Sequence, residues 1–117
     1  MPHTREKLLA DALGAADAVD SFLTGRNRAE YDTDLMLRSA IERQFEILGE
    51  ALRRLELIDP VMVNGVDDYR RIISFRNVIA HGYDSIDSDI VWQVIREKLP
   101  VLADQVRGLL VAQGPAP

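Results

Sequence analysis

The chain has no cysteine, only two histidines and a single tryptophan among its 117 residues. Without cysteine neither disulfides nor thiolate metal sites can form, so thiol chemistry is excluded and a cytoplasmic location is the expectation. Long hydrophobic runs are missing as well. None approaches the roughly 18 residues that cross a bilayer, and the opening MPHTREK lacks the apolar centre of a signal peptide, so no membrane partner is expected. Positive charge is scarce: 14 Lys and Arg stand against 19 Asp and Glu, for a net charge of −5. A broad nucleic-acid-coating surface would need a basic face, so no DNA partner is expected, while a small basic cleft stays compatible with this balance. Closely spaced glycines are lacking too. GRNRAE and NGVDD have neither the repeated glycines nor the lysine of a phosphate-cradling loop. DSIDSD lacks the residue order of a calcium loop and is better suited to helix capping, so no metal and no cofactor is expected.

What the chain does have is 47% hydrophobic residues, enough to bury one core without staples. A single domain over residues 1–112 is expected, followed by a tail, 113–117. The apolar residues recur with helical periodicity, and no stretch alternates as a strand does. A first helix is predicted from about Thr4 to Thr24, striped by Leu9, Leu13, Ala16, Val19 and Leu23 and stopped by Gly25. After a polar connector, GRNRAEYDTD, a second helix capped by Asp32 or Thr33 reaches about Leu57. Its stripe is Ile41, Phe45, Leu48, Leu52 and Leu55, with Gly49 permitting a close helix–helix approach. IDPVMVNGVDD reads as a loop. A third helix runs from Asp67 or Asp68 to about His81, where Gly82 breaks it. A fourth spans about Ser88 to Val111, lined by Val91, Ile95, Leu102, Val106 and Leu109, and Pro100 kinks it because its ring replaces an N–H. The expected fold is all-α, an antiparallel four-helix bundle, counted as five helices if the kink divides the last.

FRNVIAHGY, residues 75 to 83, departs from the apolar pattern around it. Asn77 and His81 stand one turn apart on a helix with Arg76 on the flank, so the three can line one polar patch at its C-terminal end. Arginine offers a permanently charged fork for phosphate oxygens, and histidine titrates near pH 6.5, about where proton transfer is needed. Attack of a ribose 2′-hydroxyl on its own phosphodiester requires a base, an acid and a cation for the charge on phosphorus. His3 sits close to the N-terminus, which leaves His81 as the one credible acid or base per chain. A two-fold dimer would bring two copies of His81 and Arg76 to one cleft. The residues alone leave a second possibility open: Arg76 in a structural ion pair with Glu46 or Glu50, and His81 only complementing the helix dipole. Arg53/Arg54 and Arg70/Arg71 are most simply solvated faces, with guidance of RNA toward the cleft or contact with an acidic partner as the alternative.

RNVIAHGY resembles the Arg-x4-His-x-Tyr motif of the HEPN superfamily in its HepT-like toxin branch. DLMLRSAIERQFEILGEALRRL resembles that branch's second helix, and IVWQVIREKLPVL its last, so the likeness runs from about Tyr31 to Leu102. The resemblance implies a metal-independent ribonuclease toxin that forms homodimers with the motif in a shared cleft. On that basis Arg76 binds or stabilises the scissile phosphate, His81 acts as general acid or base, and Asn77 orients them. Tyr83 corresponds to the family tyrosine that a partner nucleotidyltransferase antitoxin modifies with AMP, placing an anionic group beside Arg76. The alternative within the same fold is a non-catalytic helical adaptor that binds such a nucleotidyltransferase.

Overall fold

The computed structural model describes the backbone of residues 4–81 and 88–113, and the side chains of 4–75 and 88–113. Every described element is helical. In order they are α1 (Thr4–Leu23), α2 (Arg28–Thr33), α3 (Leu35–Ile58), α4 (Pro60–Val63), α5 (Tyr69–His81), α6 (Ser88–Gln93), a π-helical segment (Val94–Lys98) and α7 (Leu99–Ala112). The all-α bundle expected from periodicity is therefore the fold, with two short helices and a π-helical segment added to it.

α3 is the central column. Ile41, Phe45, Leu48, Leu52 and Leu55 are all buried on one face, with Leu37 and Ala51 widening it. Each fully buried side chain of this size contributes about 1.5–3 kcal/mol, which outweighs the modest helix propensity of Ile and Phe. α1 packs on one side of α3 and α5 on another, while α7 closes against α1. Leu9, Ala16 and Val19 of α1, Ile72 of α5, and Val91, Ile95, Leu102 and Val106 further along complete the core; Leu13, Leu23 and Leu109 pack against it partly buried. Gly49 is buried within α3.

Side-chain contacts set the helix directions. Arg5 of α1 lies 3.7 Å from Asp59 at the end of α3, and Arg107 of α7 lies 3.5 Å from Asp17. Arg70 of α5 reaches Glu56 at 3.5 Å, whereas Phe75 meets Phe45 edge-on with centroids 6.2 Å apart. As α5 advances it therefore passes backwards along α3. The end of α1, the start of α3 and the last turns of α5 share one end of the bundle.

The connectors correct the sequence-based expectations in three places. GRNRAEYDTD is not a plain connector, because Asn27 and Glu30 form a reciprocal capping box that nucleates α2 and buries Tyr31. The cap of α3 is Asp34, not Asp32 or Thr33: its side chain accepts from the Leu37 N–H, which holds its carboxyl below the usual range. Within IDPVMVNGVDD, Asp59 caps a single turn opened by Pro60, and buried Val63 and Val66 tie that turn to the core. α5 starts at Tyr69, one or two residues later than expected. Asp68 just before it adopts a left-handed backbone, φ 59°, and binds Lys98 at 3.0 Å. Gly25 ends α1 in the left-handed region, φ 74°, as its position predicts.

Pro100 does disturb the last helix, through a π turn rather than a simple break. Having no N–H, it cannot bond the Arg96 carbonyl, and its ring crowds that oxygen. The Leu99 N–H bonds back to the Val94 carbonyl instead, widening one turn over Val94–Lys98 before α7 resumes.

Candidate active site

The motif residues Arg76, Asn77 and His81 fall in the last turns of α5, in one uninterrupted helix from Tyr69. Asn77 and His81 are thus one turn apart along the backbone, as the spacing requires. The side chains from Arg76 onward lie outside the described residues, as does Tyr83 altogether.

On α3, the helix against which α5 packs, Phe45 meets Phe75 while Glu46 and Glu50 line the groove between α1 and α3. Glu46 and Glu50, the expected partners of Arg76 in the ion-pair alternative, each face an arginine of their own helix. Glu46 accepts from Arg43 at 3.2 Å, and Glu50 accepts from Arg53 through both oxygens at 2.7 and 3.2 Å. Among the described residues, Glu42 is the one charged side chain that is buried, and its Oε1 has no hydrogen-bond partner. Burial pushes its carboxyl above the usual carboxylate range, and Arg38 opposes the shift. Burial, then the nearby Glu42 charge, pushes the Tyr31 hydroxyl up to about 12.

Arg28, Tyr31 and Trp92 bring α2 onto α6, the helix that follows the motif. The Tyr31 and Trp92 rings are tilted at 5.5 Å between centroids. Arg28 lies 6.0 Å from the centre of the Trp92 ring and binds Asp89 at 2.6 Å and Asp32 at 3.1 Å. Arg96 lies 5.9 Å from the same ring. Sequence reasoning missed this cluster because its members are some sixty positions apart. The local signal for half of it, Asn27-x-x-Glu30 opening a helix that presents Tyr31, was legible.

Among the concave surfaces of the described residues, two lie against α1. One, with a cavity volume of about 590 Å³, runs between the end of α1 and the stretch Ile95–Arg107, and Arg26, Arg96 and Arg107 line it. The other, about 260 Å³, lies between α1 and α3, with Arg43, Glu46, Glu50 and Arg54 in its wall. No three metal-ligating side chains cluster among the described residues. Nor is any described helix long and apolar enough to cross a membrane.

Comparison with known proteins converges on one family. Residues 12–109 match the model of the family described as "Ribonuclease HepT-like". A candidate RNase of Methanocaldococcus jannaschii, MJ1380, is 29% identical over 98 residues, covering 84% of this chain and 89% of its own. The "Probable ribonuclease HepT" of Thermococcus cleftensis is 22% identical over 102 residues, covering 87% and 92%. No solved structure matches. With most of its length matched by the family model, this chain belongs to the ribonuclease HepT-like family.

Proposed function

We propose that the protein is a metal-independent endoribonuclease toxin of a type VII-like toxin–antitoxin pair, acting as a homodimer. The observation that carries this is the family match over residues 12–109, a span that contains Arg76, Asn77, His81 and Tyr83. In the proposed reaction an RNA 2′-hydroxyl attacks the adjacent phosphorus and gives its proton to an imidazole. The 5′-oxygen of the next nucleotide leaves and takes a proton from an imidazolium. His81 from the two chains supplies base and acid, Arg76 offsets the charge growing on the phosphate oxygens, and Asn77 orients both. A partner nucleotidyltransferase silences the site by transferring AMP from ATP: the Tyr83 oxygen attacks the α-phosphorus, gives up its proton, and pyrophosphate leaves. The added phosphate then occupies Arg76 and its nucleoside blocks the cleft.

The test is cleavage of RNA in the presence of a metal chelator by protein freed of partner and of AMP. Wild type is expected to cleave, with activity changing through about pH 6.5 as imidazole titrates. His81→Ala and Arg76→Ala are expected to lose at least about 100-fold in rate while circular dichroism and oligomeric state stay unchanged. Intact RNA between about pH 5 and 9 would remove catalysis in favour of a non-catalytic adaptor for the nucleotidyltransferase. Loss of fold or dimer in both variants would instead assign the motif a structural role.

A further inference from the structure

We propose that the groove between the end of α1 and the π turn is a single-stranded RNA subsite, with Arg96 taking a backbone phosphate and a base stacking against the Trp92–Arg96 pair. This rests on the ribonuclease function proposed above and names the surface that holds its substrate. Three arginines line the groove, and they differ in what already occupies them. Arg26 is shared between Glu30 at 3.4 Å and Asp34 at 3.3 Å, and Arg107 between Asp104 at 2.9 Å and Asp17 at 3.5 Å. Arg96 has no carboxylate within ion-pair distance among the described residues. Its guanidinium sits 5.9 Å from the Trp92 ring centre. A cation held by an aromatic face, not by an anion, keeps its charge and its donors for a phosphate.

The local backbone explains why Arg96 is there. Pro100 forces the π turn, and this turn carries Arg96 at the rim of the groove one turn beyond Trp92. Tyr31 backs the indole from α2, so Trp92 is held and only half-buried. Base stacking on an aromatic or guanidinium plane is sequence-tolerant and suits a strand lying across such a rim. Location supports the same substrate. The groove begins at the end of α1, at the end of the bundle that also receives the last turns of α5. Asp17 and Asp20 of α1 and Asp104 of α7 also line the groove, and Arg107 pairs with Asp17 and Asp104, so a phosphate is drawn to the Arg96 end of the groove, away from Asp104.

The single tryptophan of the chain makes the proposal directly measurable. The probe is a single-stranded 2′-O-methyl oligouridylate, which lacks the hydroxyl that cleavage uses, titrated into the full chain while tryptophan emission and probe anisotropy are followed. A saturable change in Trp92 emission is expected, and Arg96→Gln should weaken binding about tenfold. In cleavage assays the same variant should raise KM with kcat held. Arg96 is exposed, so the variant should keep the wild-type melting temperature, and Lys7→Gln, at the far end of α1, controls for the loss of one charge. Binding that leaves Trp92 emission unchanged, or equal losses in Arg96→Gln and Lys7→Gln, would overturn the subsite. So would a wild-type KM in Arg96→Gln while RNA is still cleaved, and the ribonuclease reading would then stand without it. Wild-type protein that neither binds the probe nor cleaves RNA would overturn both.

Discussion

Glu42 sits 8% exposed on the flank of the α3 stripe, with one oxygen unpartnered among the described residues. A buried polar atom without a partner costs about 1–3 kcal/mol, and ionisation makes the cost larger. Burial raises the Glu42 carboxyl, with Glu46 adding to it and Arg38 opposing. The group binds its proton more tightly in the folded chain. Its contribution to stability is therefore fully present below the unfolded value, about 4.3, and is lost as pH rises through the higher folded value. Glu42→Gln is expected to stabilise the protein by about 1 kcal/mol near neutrality, read from the urea midpoint. The advantage should shrink towards pH 4, where the wild-type carboxyl is itself neutral. A gain independent of pH would show that shape, not charge, separates the two side chains. The periodicity places residue 42 only about 60° from Phe45, yet nothing in its neighbours in sequence announces that a carboxylate there is buried. That depends on what α2 and Tyr31 cover.

At the level of elements, the long helices were legible because their stripes are long. In α3 the spacing of Ile41, Phe45, Leu48, Leu52 and Leu55 leaves one solution, and all five are in the core. The short helices were missed because a single turn has no periodicity to read; only capping chemistry marks them. Asn27 and Glu30, and Asp59 before Pro60, are such marks. Asn27→Ala should cost about 1 kcal/mol and lower the melting temperature, since its side chain accepts from the Glu30 N–H. Because α2 holds Tyr31 against Trp92, the same variant should also shift tryptophan emission in the free protein. An unchanged spectrum would mean that the core contacts of Tyr31, not the cap, hold α2. Pro100 illustrates a different limit. Its missing N–H was plain, but a break, a kink and a π turn all satisfy it, and the packing of Ile95, Leu99 and Leu102 selects among them.

For the whole molecule, the proposed dimer needs an apolar surface at the motif end. Leu35 and Met36, in the first turn of α3, are 65% and 82% exposed there. A single chain gains nothing by leaving such residues in water, whereas a second copy would cover them. Met36→Glu is expected to convert the dimer to a folded monomer in sedimentation analysis and to abolish RNA cleavage along with it. Retention of the dimer would place the contact on another face. The motif itself was legible as residue types and spacing, and its family as a run of similar segments. The candidate substrate groove was not, because Trp92, Arg96 and the end of α1 come together only when the helices pack.

The sequence by itself determined the all-α class, the four long helices and the placing of Arg76, Asn77 and His81 within two turns of one helix. These follow from local periodicity, capping and proline geometry, which act over a few residues. The tertiary structure decided which carboxylate is buried, which groove arginine has no carboxylate partner among the described residues, and which end of the bundle carries the groove. Those outcomes come from antiparallel packing, and burial and charge pairing belong to the packed assembly of helices, not to any segment alone.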